Sequence, residues 1–211
     1  MRRSTIPFLV TSFLLAVALS SCASKIMQGY NTVAADKTVY EVPYFSNPQT
    51  DYVYKADITV YGNALGGIFI AKKLNDSTHR VVFTTEFGNK LLDFEVSEND
   101  FKVNSIVEEL NKKILINTLR DDFRMLFRKQ YSIIGEFENA DAKVYKSADG
   151  NRYNYLYLSI TDGKLLKIVH ATKRKEKINI AFTTENNMFA DKILIEHKNI
   201  KLRIEFNYFK Q

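Results

Sequence analysis

Few side chains in this chain of 211 residues have the type and spacing to do chemistry. The one cysteine, Cys22, ends an apolar run. The three histidines are His79, His170 and His197. Three histidines suffice for zinc, but none of these has a partner at a short ligand spacing. They read as ordinary surface histidines, and no metal site is expected. Acidic pairs occur at Glu108–Glu109, at Asp121–Asp122, and at Asp93 with Glu95. The last two are two residues apart, so a strand would carry both on one face, close enough to raise one pKa. Glycosidase-like hydrolysis needs such a pair inside a polar cleft; a solvated strand face is the expectation here. The serines lack a nucleophile-elbow context. Gly62, Gly66 and Gly67 in "GNALGG" do not have phosphate-loop spacing. They read as a turn with a close backbone approach. No catalytic constellation and no cofactor fingerprint emerges, so the expectation is a non-enzyme without cofactors.

Cys22 belongs to a different kind of chemistry. Arg2 and Arg3 precede an apolar run over residues 6–19, and small Ser20 and Ser21 follow it. A basic start, a short apolar centre and small residues make a secretory signal. The run is shorter than the roughly 20 residues a membrane-spanning helix needs. "LSSC", Leu19 to Cys22, resembles the lipobox of bacterial lipoproteins. That resemblance implies thioether diacylation of Cys22, cleavage just before it, and acylation of the new amino terminus with palmitate-class chains. Several chains on one terminus anchor stably, whereas one alone is marginal. The same step would consume the only thiol, leaving no disulfide and no Cys-based catalysis. Ala23 and Ser24 follow. They resemble neither the proteobacterial inner-membrane retention signal nor the acidic surface-export signal of Bacteroidetes. The expected location is the outer membrane, lipid-anchored, facing the periplasm.

The elements that must carry these residues are mostly strands. Apolar residues make up 45% of the chain, with 15 Phe and 12 Tyr, which is a folding composition. The formal charge of +6 suits solubility or an anionic surface. The densest basic run, "TKRKEK" at 172–177, reads as a solvated hairpin turn, and no nucleic-acid partner is expected. Alternation puts Ile58 with Val60, Val81 with Phe83, and Leu92 with Phe94 and Val96. Tyr153, Tyr155 and Tyr157 oppose Leu156 and Leu158, the pattern of a strand covered on both faces. The cleanest amphipathic strand carries Ile200, Leu202, Ile204, Phe206 and Tyr208 on one side. One helix interrupts the strands: Leu115, Leu119, Phe123 and Leu126 make a helical stripe, with Asn111 as N-cap and Asp121 and Asp122 solvated near Lys129. The fold class expected is mainly β: a curled antiparallel sheet of nine or ten strands, or an incomplete barrel, covered by a central helix (α+β). Residues 1–21 are the signal peptide, 22–50 a lipid-anchored tether and lead-in segment, and 51–211 a single β-rich domain.

The order of "GGIFIAKK", "HRVVFTTEFGNKLLDFEV", the helix "NKKILINTLRDDFRMLF" and the terminal "DKILIEHKNIKLRIEFNYF" resembles the LolA/LolB-like fold of lipoprotein carriers and receptors. It is most similar to uncharacterised Bacteroidetes-type lipoproteins. The resemblance implies an incomplete barrel over an apolar cavity, binding lipid or the acyl chains of lipoproteins. It also implies a membrane-contacting Leu on an early loop, for which Leu65 is the candidate. The alternative is a structural or interaction subunit of an envelope complex, with a protein partner and no ligand cavity. An envelope hydrolase is the third reading.

Overall fold

Apolar–polar alternation builds fourteen strands into one antiparallel sheet among the described residues, which in this computed structural model are 25–185 and 189–209. Cys22 and the signal segment lie outside them. The strands are β1 Asn31–Val33, β2 Val39–Glu41, β3 Asp51–Val60, β4 Asn63–Lys73, β5 His79–Thr84, β6 Lys90–Val96 and β7 Phe101–Ile106. After helix α1, Lys113–Phe127, come β8 Gln130–Glu138, β9 Ala142–Asp149, β10 Arg152–Ser159, β11 Leu165–Ala171, β12 Glu176–Thr183, β13 Lys192–His197 and β14 Leu202–Tyr208. Two meanders, β3 to β7 and β8 to β14, join where β14 pairs β3. The sheet does not close: β7 is one edge, and β1 and β2 flank β8 at the other. The count exceeds the nine or ten expected. β1 and β2 are only three residues each, and β7 exposes most of its side chains, so neither gives an alternation signal.

The inward faces are those the alternation indicates. Phe69 and Ala71, Val81 and Phe83, Leu92 and Phe94, Ile193 and Ile195, and Leu202, Ile204 and Phe206 are all buried. Phe206 packs on Phe69 at 4.3 Å between ring centres. α1 covers this face with Leu119, Phe123 and Leu126, and Leu115 is half-buried. Asn111 is not its N-cap. A 3-10 turn, Glu108–Leu110, takes the Asn111 amide onto the Glu108 carbonyl, and the helix starts after Lys112 without a side-chain cap. Burial, not capping, holds it.

β10 is covered on both sides. Leu156 and Leu158 face the main core, and Tyr155 and Tyr157 face a second cluster closed by Met27, with Ile26 and Tyr30 packed against it. The residues ahead of β3 are therefore part of the fold from the 3-10 turn Lys25–Met27 onward. Tyr40, Val42, Tyr44 and Phe45 enter the main core as a strap across its mouth. Phe45, with a left-handed φ of 55°, wedges against Tyr52, Tyr54 and Phe127. At Gly67 the expected close approach is real. A Cβ there would lie 2.0 Å from the Thr84 carbonyl oxygen.

Candidate functional site

Three neighbouring strands set out the site. Lys73 ends β4, pairs with His79 at the start of β5, and His79 pairs with Val96 at the end of β6. All three side chains are buried on the inward face. The strap Tyr44–Ser46 passes over them and the last turns of α1 approach from the side. Together they leave a cleft of about 870 Å³, within the range of small-molecule sites. Its floor includes Phe45, Val96, Met125, Phe127 and Tyr131; its rim is charged.

The rim contacts are specific. His79 Nε2 donates to the Phe45 carbonyl at 2.9 Å, and its ring stacks on Phe127 at 4.6 Å. Burial pushes its pKa down, which the bond to Phe45 only partly offsets, so the ring is a neutral pin for the strap. Arg124 Nε donates to the Ser97 carbonyl at 3.1 Å. Arg128 lies over the Tyr131 ring at 4.7 Å, with Glu98 and Asp149 both 3.8 Å away. His170 is held between Asn154 Oδ1, 2.8 Å from its Nδ1, and the Arg152 guanidinium, 3.4 Å from its Nε2. Arginine only donates, so Nε2 is the acceptor and Nδ1 carries the proton. Burial lowers the pKa of His170 and keeps it neutral.

Among the described residues, no nucleophile of the cleft is aimed at a base. The cleft's serines are engaged elsewhere: Ser46 Oγ donates to the Pro43 carbonyl, Ser77 Oγ to Asn75 Oδ1 and Ser97 Oγ to the Asp100 carbonyl. Among the described residues no three His, Cys, Asp or Glu side chains are grouped to hold a metal.

Several expected residues stand elsewhere. The three histidines are not surface groups: the side chains of His79, His170 and His197 are all buried, His79 and His170 in the cleft wall and His197 at the end of β13. Asp93 is not solvated beside Glu95. It is buried under Arg80 at 2.7 Å and Lys90 at 2.9 Å, and these bonds hold its carboxyl well below the usual range. Asn104 bridges Asp93 and Glu95 at 3.2 and 3.0 Å. A carboxylate kept ionised so firmly is the opposite of a general acid. Exposed Asp121 pairs with half-buried Arg120, but Asp122 is fully buried and contacts His197 at 3.0 Å rather than Lys129. Glu108 and Glu109 sit exposed on the 3-10 turn. Leu65 lies within β4, half-buried against the core. The apolar side chains exposed at that end of the sheet are Tyr61, at 60%, in the β3–β4 turn and Phe87, at 94%, in the β5–β6 turn. Lys73 and Arg124 escaped the sequence reading. Lys73 was detectable, because it continues the inward phase of Phe69 and Ala71.

No protein-family model and no curated protein matches the chain. Solved structures do. A LolA superfamily protein from Nitrosomonas europaea superposes with a TM-score of 0.50 at 9% identity, over 79% of this chain and 87% of that one. A DUF1329 family protein from Desulfovibrio piger matches with a TM-score of 0.42 at 11% identity, over 76% and 84%. At such identity the likeness is one of fold. The architecture is LolA-like: a large antiparallel sheet, not closed into a barrel, covered by one long helix.

Proposed function

We propose that this protein is a non-enzymatic lipoprotein of the outer membrane, anchored through acylated Cys22 on the periplasmic side, which holds an acyl chain or a lipid in the cleft beneath the strap. The observation that carries the reading is the cleft itself. It combines an aromatic and aliphatic floor with a charged rim, the division that an amphiphile requires. The LolA-like fold and the "LSSC" sequence support it. Membrane contact is assigned to Tyr61 and Phe87 in place of Leu65, which packs inward. Tyr61 holds φ at 48° next to Gly62 at 89°, so an aromatic side chain is kept at a turn position that disfavours it.

Native mass spectrometry of the full chain extracted from membranes tests the reading. The expected species begins at an acylated Cys22 and carries amphiphile adducts. An unmodified amino terminus and an empty cleft would overturn it. A second reading, an interaction subunit of an envelope complex, draws on β7. This edge strand pairs only with β6 and exposes Lys102, Val103, Asn104 and Ser105. In-cell crosslinking from Lys102 that captures one protein stoichiometrically would favour that reading.

A further inference from the structure

Lys73 is a charged side chain in an apolar register. Its side chain is only 8% exposed, yet the contacts of its ammonium are long. Nζ lies 3.5 Å from the Ser46 carbonyl oxygen and 3.7 Å from the carboxylate of Asp76, which is itself fully exposed. A buried cation ordinarily keeps a close counter-charge, because desolvation costs several kcal/mol unless it is offset. Two strands across from Lys73, roughly 10 Å by sheet spacing, Ser97 follows Val96. There Arg124 reaches over from α1 and spends one donor on the Ser97 carbonyl. A guanidinium has five donors, and no carboxylate pairs with Arg124 among the described residues. Arg128 has Glu98 and Asp149 on either side, both at 3.8 Å, and lies over the Tyr131 ring. Among the cations lining the cleft, Lys73 is the buried one and Arg124 is half-buried without a carboxylate partner, whereas Lys129 and Arg152, which also have none among the described residues, are exposed; Lys73 and Arg124 stand beside the neutral His79 and above the apolar floor.

We propose that Lys73 and Arg124 form a subsite for a carboxylate or phosphate group carried by the ligand of this cleft. The ligand is then an anionic amphiphile, with its head at these two cations and its tail against Phe45, Met125 and Phe127. The strap fits this role. Its Phe45 and Ser46 carbonyl oxygens already face His79 and Lys73, so an incoming anion takes over a contact that backbone dipoles now supply weakly. The inference rests on the reading of the cleft as an amphiphile site.

Calorimetric titration of the full chain separates the two. The probes are oleate, lysophosphatidic acid, oleyl alcohol and inorganic phosphate. Oleate and lysophosphatidic acid should bind about tenfold or more tightly than oleyl alcohol, the scale of one charge-assisted contact. Lys73→Met should abolish that advantage, bringing oleate down to the affinity of the alcohol, while Lys73→Arg restores it. Arg124→Gln, at a half-exposed helix position, provides the same comparison if Lys73→Met does not fold. Equal binding of oleate and oleyl alcohol would remove the subsite but leave the amphiphile cleft. Phosphate binding that depends on Lys73, with no binding of the alcohol, would uphold the subsite with a free anion as its source and remove the amphiphile. Absence of binding by all four probes would overturn both.

Discussion

Asp122 shows how one residue can tie a helix to a sheet. Its Oδ2 meets His197 Nε2 at 3.0 Å, while Oδ1 is buried without a hydrogen-bond partner among the described residues. Burial pushes its carboxyl pKa up, and His197 pulls it only partly back. Removing the partner leaves that carboxyl buried alone. His197→Ala should therefore cost about 3 kcal/mol, read from urea unfolding. The pairing was half legible. Asp122 stands seven residues after Leu115, three after Leu119 and four before Leu126, inside the apolar stripe. Its charge suggested solvent, and its partner comes from 75 residues away, a separation no local pattern encodes. His79 and His170 add a pH dependence. Burial sets both folded pKa values below the ordinary 6.5, so the unfolded chain takes up protons first as pH falls. Stability should be level above about pH 6.5 and decline below it. The His79→Gln variant should flatten that decline in unfolding curves measured between pH 8 and pH 5.

At the scale of elements, the long strands were legible because a face buried along its whole length leaves an alternating pattern. β14 and β10 are the clearest cases. The strap was not. "YEVPYFS" has neither period, and it is buried because the open side of a curled sheet must be filled, which is a property of the whole sheet. The contact between β4 and β5 shows how tightly these strands are set. Gly67→Ala would drive its methyl into the Thr84 carbonyl oxygen, 2.0 Å away, with the Phe83 ring at 2.8 Å. A cost of about 3 kcal/mol is expected in thermal or urea unfolding. The neighbouring Gly66→Ala, whose nearest atom is Asp57 Oδ1 at 3.7 Å, should be close to neutral. A pair of variants one residue apart thus separates close approach from the general effect of replacing glycine in a strand.

Considered whole, the molecule is a curled sheet whose mouth is closed by its own leading segment. Composition and alternation pointed to the sheet and its helix. The cleft was hidden, because its walls come from β4 to β6, β8 to β12, α1 and the strap, and only the curl of the whole sheet brings them together. At one end of the sheet Phe87 is nearly fully exposed and makes no core contact. Phe87→Ser should leave the unfolding curve unchanged and weaken binding to anionic phospholipid vesicles about tenfold in a flotation assay. The burial of Met27 in the second cluster, behind β10, has a mechanical meaning as well. Residues 22–50 read from sequence as a tether and lead-in segment. With the chain docked from Lys25 onward, an acylated Cys22 would stand at most about 10 Å along the chain from the fold, even at full extension. A body anchored in that way could not sweep far for a distant partner; it would sit pressed to its bilayer, and any ligand would have to come to the membrane surface.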